Sequence, residues 1–522
     1  MANRAKHAGL DSLKDSLRRI VAFVMTLAIL STVWLFVFNG WDDVMPVVDR
    51  DKYRDVKPVV DVIATAPTEI NPKTNADSAL WRVLGHNVVA TWLKTGKDGA
   101  LEPELVDRWE QSADKMEWTF HLSKSLDWSD GSEITAGDLV RSLKDNIAAK
   151  YEYSDRLDLE SVSAADDSTV IIKTREPKAV LPHLLSGRLG AVWSSKQPDG
   201  EMAGDSLSKK PVTSGPYEIT GYSKTSDGKG TLTLEPTRSK LAADLRVSMV
   251  TVRWTGEADA KNDAATGAAQ YAIADYDADF GDGTTHGQST RRLAIAFNGQ
   301  TDRPYPALSD KRFRQGIRNA VDSRAVLDAI GGGYSDSRLI GGGVTPGTFG
   351  YEDLTGLFPF DAAKGRSEAT SYFGVYPFAL ITPDWSAGAG DVITRQLNAI
   401  VQYPHAETLD QAAYSQRLQS NDYDMALIRV DGYDGLKGLL DANSVTGVDA
   451  PDTTKAYDAV FTAGTEDELE AAVKNAARVQ SDWSTVDWLG VAKTSAWSAK
   501  GWKQLAADLS DVSIDLTGLG KD

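Results

Sequence analysis

Apolar and polar positions alternate in short blocks, and the period shifts along the chain between two and about 3.6 residues. Residues 57–65 (KPVVDVIAT) and 168–174 (STVIIKT) are rich in β-branched residues and predict strands, as does MEWTFHL, which puts Trp118, Phe120 and Leu122 on one face. Helical spacing predicts helices over 79–94 and 138–150, the second opened by a capping box of Thr135 and Asp138. The segments GTLTLEP, VSMVTVRWT and RRLAIAFNG predict further strands, and 310–330 predicts one long helix stopped by Gly331, Gly332 and Gly333. A second alternating stretch follows: FALITPD, a helix around 392–400, and YDMALIRVDGY. Strands and helices interleave in two halves, which is a mixed α/β pattern, and there is no internal repeat.

One run departs from this pattern. Residues 20–38 (IVAFVMTLAILSTVWLFVF) carry no charge, and as a helix they would span roughly 28 Å, close to the hydrocarbon thickness of a bilayer. The apolar stretch exceeds the usual signal-peptide core, and FNGWDDVMP after it offers no small-x-small cleavage site. Arg4, Lys6, Lys14, Arg18 and Arg19 precede the run, and Asp42 and Asp43 follow it. The bias predicts a cytoplasmic tail (1–19), a transmembrane anchor (20–39), a polar linker (40–57) and an extracytoplasmic body in the cell membrane.

Composition removes several chemistries. The 522 residues include no cysteine, so disulfides, thiolate metal sites and cysteine nucleophiles are excluded. With 56 Lys plus Arg against 74 Asp plus Glu, the net charge of −18 disfavours nucleic acid as a partner. The six histidines never reach metal-ligand spacing, and neither a Gly-x-Ser-x-Gly elbow nor a phosphate-cradling loop occurs. Asp275, Asp277, Asp279 and Asp282 suggest a calcium loop, but Phe280 stands where glycine is required and His286 where a carboxylate is, so an acidic loop is the better reading. No enzyme activity, cofactor or metal is expected.

Four blocks resemble the bacterial extracellular solute-binding proteins of family 5, the oligopeptide, dipeptide and nickel receptors of ABC importers. They are LEPELVDRWEQSADKMEWTFHLSKSLDWSDGSEITAGDLVRSL at 101–143, TSGPYEITGY at 213–222, LAIAFNGQTDRPYPALSDKRFRQGIRNAVDSRAVLDAIGGGY at 293–334, and YDMALIRVDGYDGLKGLL at 423–440. The resemblance implies a two-lobed periplasmic-binding-protein-like fold of class II with a ligand cleft between the lobes. It implies lobe I over 58–290, lobe II over 291–482 and a return to lobe I over 483–522, with a hinge near 291–298 and 483–493. It also implies a receptor that captures a peptide-like solute, closes, and delivers it to permease subunits; a monomer is expected, and the alternative is a membrane-tethered sensor or scaffold that uses the same lobes for protein contacts. Within the third block, Arg312, Arg314 and Arg318 read as a solvated helix face or a docking surface for the transporter.

In this family an aspartate just after a Gly-Trp pair in the fourth block holds the ligand's ammonium group. Here the block reads Arg429, Val430, Asp431, Gly432, Tyr433, Asp434: the Gly-Trp pair is absent and Tyr433 takes the aspartate's place. Either Asp431 or Asp434 binds the amine, or the ligand has none there and is an oligosaccharide or metal chelate. Arg429 adds a donor fork suited to a carboxylate or sugar hydroxyl. By motif position Asn75, Asp77, Asp275, Tyr276 and Phe297 should also face the cleft. Trp193 is a weaker stacking candidate, most of the 14 tryptophans being expected to pack.

Overall fold

The computed structural model describes residues 50–522, apart from 72, 74–77, 97–98, 197–210, 301–305, 332, 370–377, 431–445, 447, 449 and 508–512. The expected anchor at 20–39 lies outside the described residues. Among those described, no helix is long and apolar enough to cross a membrane.

The body is built on one mixed sheet. From edge to edge its strands are His405–Leu409, Ala379–Pro383, Met425–Val430, Thr284–Phe297, Val486–Ser498, Tyr271–Ala274, Val59–Ile63, Val250–Thr255, Gly230–Pro236 and Tyr217–Lys224, with Arg338–Leu339 added beside Val486–Ser498. Each half has a parallel centre. Val59–Ile63 runs parallel to both Val250–Thr255 and Tyr271–Ala274, and Ala379–Pro383 runs parallel to both His405–Leu409 and Met425–Val430.

Two long antiparallel strands join the halves. Thr284–Gln288 pairs with Lys493–Trp497 on one side, and Arg292–Ala296 with Val486–Val491 on the other. Between these stretches Ser289, Thr290 and Arg291 stand opposite Ala492 alone. Such a bulge bends the ladder where the chain passes from one half to the other.

The cores follow this division. One large core gathers Trp92, Phe120, Tyr217 and Trp254 from the first half with the smaller sheet of Val106–Gln111, Glu117–Leu122, Thr169–Thr174 and Leu159–Asp166. Tyr457, Phe461, Leu469 and Val473, from helices Pro451–Thr462 and Glu466–Trp483, join that core. The second half packs Leu293, Ile317, Leu327, Leu380 and Ile393 on one sheet face and Ile381, Tyr423, Ile428 and Trp488 on the other. The alternation read in MEWTFHL holds, with Trp118, Phe120 and Leu122 buried. The capping box holds as well, since the Thr135 N–H donates to Asp138 at 3.1 Å. Trp193 is a core residue whose indole N–H donates to Asn146 at 2.7 Å.

Three sequence expectations need correction. The helix expected over 79–94 ends at Leu84, because Asn87 turns its amide back onto Val83 O (3.0 Å) and onto the distant Ile514 O (2.7 Å). The helix expected over 310–330 is two, Lys311–Ala320 and Ser323–Ile330. The break comes where Asp322 caps the second by accepting from Arg324 N (3.0 Å). Nor do the arginines of the first form one solvated face. Only Arg312 is exposed, whereas Arg314 and Arg318 are buried. Arg314 donates to the carbonyls of Leu308 (2.8 Å), Ser309 (3.0 Å), Trp483 (2.8 Å) and Ser484 (2.9 Å), clamping the turn from helix Glu466–Trp483 into strand Val486–Ser498. A guanidinium's five fixed donors make it the side chain able to gather four carbonyls.

Beside it Arg318 meets Asp487 at 3.2 Å, on the strand that joins the halves. Burial pushes the Asp487 carboxyl up to about 6, although Arg318 pulls it the other way. A raised folded value favours the protonated form, so this stability is present in acid and is lost as pH rises from about 4 through 6. The destabilisation caused by Asp487→Asn should therefore shrink by about 2 kcal/mol between pH 4.5 and pH 7.5 in paired urea unfolding curves. A difference independent of pH would refute this assignment.

Candidate functional site

In open α/β sheets ligands bind beyond the carboxyl ends of the parallel strands, where connecting loops diverge. In the first half those ends deliver Glu257 after Val250–Thr255, and Asp275 and Tyr276 after Tyr271–Ala274. In the second half they deliver Trp385 after Ala379–Pro383, with Arg429 near the end of Met425–Val430.

These side chains are tied together. The Tyr276 hydroxyl donates to Glu257 at 2.8 Å, and burial, reinforced by that carboxylate, holds the phenol protonated well above its ordinary range. Next to it the two halves touch, with Asp277 N donating to Gly333 O at 3.4 Å. Gly333 has φ +87°, and a Cβ there would lie 2.5 Å from Asp277 O. Only glycine fits this approach. Tyr334 follows, its ring 5.8 Å from that of Trp385, and the Arg429 guanidinium lies 5.6 Å from the Trp385 ring. Tyr334, Trp385 and Arg429 thus form a strip ending in a cation in the second half, with Tyr334 seated in that half's core, and Tyr276 stands in the first half beside the Asp277–Gly333 contact.

Behind the strip sits a charged knot. Asp275 is buried and meets Arg82 at 2.7 Å and Arg291 at 2.5 Å. Arg291 belongs to the bulge in the joining strands, so this ion cluster fixes the crossing point to the first half. Asp277 pairs with His286 at 3.0 Å and Asp279 accepts from Gly281 N at 2.9 Å, so three of the loop's four aspartate side chains have local partners.

Of the nine residues expected in the site, the structure puts Arg429 on this strip and Tyr276 beside the Asp277–Gly333 contact, and places Asp275 in the supporting knot. Phe297 is a correction. It pairs with Met425 at the far end of its strand, away from the junction, and is fully buried in the second-half core. The motif position that suggested the cleft instead places its side chain among the second-half core residues. Asn75, Asp77, Asp431, Tyr433 and Asp434 lie outside the described residues. Sequence reasoning missed Trp385 and Tyr334. The available signal was positional: Trp385 stands just past a predicted strand, FALITPD, and Tyr334 just past the triple glycine.

Comparisons with known proteins agree with this architecture. Residues 100–435 match the family model described as bacterial extracellular solute-binding proteins, family 5 Middle. A probable peptide ABC transporter periplasmic-binding protein, y4tO of Sinorhizobium fredii, is 34% identical over 85 residues, 16% of this chain and 16% of that protein. The dipeptide-binding protein of Escherichia coli is 29% identical over 147 residues, 24% of this chain and 28% of that one. The chain thus aligns with well under a third of either relative's length. Among solved structures, the substrate-binding protein CtaP of Listeria monocytogenes superposes with a TM-score of 0.73 at 16% identity, over 90% of this chain and 100% of that one. Haemophilus influenzae OppA, in complex with RPPGFSPFR, superposes with a TM-score of 0.69 at 14% identity, over 90% and 99%. These likenesses establish the two-lobed periplasmic-binding-protein fold.

Proposed function

Because the chain belongs to the bacterial extracellular solute-binding proteins of family 5, we propose that it is the substrate-binding receptor of an ABC importer for peptide-like solutes. The observation that carries this reading is that Tyr276, Trp385 and Arg429 stand at the carboxyl ends of strands in both lobes, with Tyr334, from the loop after helix Ser323–Ile330, packed against Trp385. Ring faces accept varied side chains by stacking, and a guanidinium fork accepts a carboxylate through two parallel hydrogen bonds. A peptide presents both groups. The relatives whose names include peptide binding lend the ligand class its support.

Capture follows from the joining strands. Ligand touching both lobes favours the closed arrangement by its differential affinity for it, and the two strands bend at the Ser289–Arg291 bulge as the lobes approach. The closed form is what permease subunits would recognise. No bond is made or broken in this cycle. The proposal includes a single chain acting alone, lobes divided near residues 290 and 483, and a body held outside the cytoplasm by residues 20–39.

The test is retention of peptides. Purified chain dialysed against a mixed di- to pentapeptide pool should retain a subset detectable by native mass spectrometry. Trp385→Ala and Arg429→Ala should each weaken that retention by about ten- to a hundredfold, corresponding to roughly 1.5–3 kcal/mol for a lost stacking face or charge-assisted bond. Equal retention by wild type and both variants would remove the strip from the site.

A further inference from the structure

A cavity lies apart from the strip, and no strip residue lines it. Its volume, about 800 Å³, falls within the roughly 300–1,000 Å³ typical of small-molecule sites. Its walls are the strands Val106–Gln111 and Glu117–Leu122, residues 347–351, and the first turns of helix Glu466–Trp483.

Much of the wall is aromatic, and the Tyr351 ring already has the Arg338 guanidinium over it at 5.7 Å. Trp109, Trp118, Phe349 and Tyr351 contribute aromatic surface. Several are braced from behind: the Trp118 indole donates to Lys178 O at 3.0 Å, and Phe349 packs on the His183 ring at 4.4 Å. Gly350, at φ +72°, lets its loop lie directly on the helix, for a Cβ there would stand 2.6 Å from Val473. The loop is therefore seated on the helix.

The charge is of one sign. Glu110, Glu466 and Glu470 stand at the cavity, and none of its described lining residues is a lysine, arginine or histidine. Their partners lie outside the lining: His121 at 3.4 Å, His183 at 2.7 Å and Lys474 at 2.6 Å. The Glu110 and Glu470 pairs are solvent-exposed, weak and readily exchanged for a better-placed cation, whereas His183 is largely buried beneath Phe349. Ring faces are negative in quadrupole and attract cations within about 6 Å, so rings and carboxylates select the same guest. An anion would meet the negative ring faces and find no cation in the described lining, and a neutral ligand would leave the carboxylates unused.

We propose that this cavity is a second binding site, for an organic cation whose amine, amidine or guanidine group is carried on a flat apolar stem. The stem stacks between the rings and the cation faces Glu466 and Glu470. The site does not depend on the importer reading.

The test uses benzamidine and its neutral counterpart benzamide, titrated into the purified full-length chain and followed by tryptophan fluorescence. Benzamidine should bind saturably, with benzamide at least about tenfold weaker. Combining Glu466→Gln with Glu470→Gln should reduce benzamidine affinity by about tenfold and leave benzamide unchanged. Trp385→Ala should change neither. Absence of benzamidine binding, equal binding of the two probes, or affinity that survives the double substitution would overturn the proposal. So would a loss caused by Trp385→Ala, which would locate the probe on the interlobe strip.

Discussion

Gly333→Val should weaken peptide capture by at least about tenfold while the protein stays folded. The backbone at this residue is left-handed, at φ +87°, where a β-branched side chain is strained by roughly 1–2 kcal/mol. The larger effect is steric. The first side-chain atom would fall 2.5 Å from Asp277 O and 2.7 Å from Asp277 N, both on the opposite lobe's loop. Backbone cannot rotate aside as a side chain can, so the lobes must part. Ligand that needs both lobes then binds only the fraction of molecules able to close, and apparent affinity falls by that fraction. Each 1.4 kcal/mol of lost closure is a further factor of ten. Calorimetric titration and a thermal melt separate the two effects. Unchanged affinity at Gly333→Val would mean that closure at Asp277 is not part of capture.

Arg314→Met should destabilise the fold by about 3–5 kcal/mol. The direction is not obvious, because burial alone disfavours the charge and brings the guanidinium down to about 10. Replacing a buried ion pair by apolar groups of similar volume is often neutral, since both charges leave together. Here the acceptors are four backbone carbonyls, and they remain. Methionine fills much of the volume but donates nothing, leaving the carbonyls of Leu308, Ser309, Trp483 and Ser484 without this donor. Unsatisfied buried acceptors cost roughly 1–3 kcal/mol each, partly recovered by relaxation and entering water. Urea unfolding with an unchanged slope would register the loss as a lower midpoint. A loss below about 1 kcal/mol would mean the clamp is dispensable.

These two residues show what was legible in the sequence. Element type came through wherever one face is buried: Trp118, Phe120 and Leu122 alternate because that strand has one core side. Pairing partners beyond a turn did not come through. The apolar run of LAIAFNG marked a strand, but Phe297, expected at the cleft by motif position, pairs with Met425 at the strand's remote end. Arg314 and Arg318 carry helical spacing and charge, the pattern of a solvated face. Their burial depends on carbonyls that lie about 170 residues away along the chain, as the clamp on Ser484 shows. The glycines after Ile330 were read correctly as a helix stop, which Gly331 supplies, but the role of Gly333 depends on a loop from the other lobe. Tyr276 was expected by motif position and Arg429 as a donor fork in the fourth block, whereas Trp385 enters only when the strand order puts its turn beside Arg429.

The account depends on two lobes that approach each other around a solute, and the distance between them is the quantity to measure. The chain has no cysteine, so Ser226→Cys in the first lobe and Ala412→Cys in the second, both exposed, give a spin-label pair without background. Pulsed dipolar spectroscopy with a saturating retained peptide should show the distance distribution shortening and narrowing, and Gly333→Val should hold it long. A distribution that peptide leaves unmoved, in protein shown by mass spectrometry to carry that peptide, would contradict capture by closure.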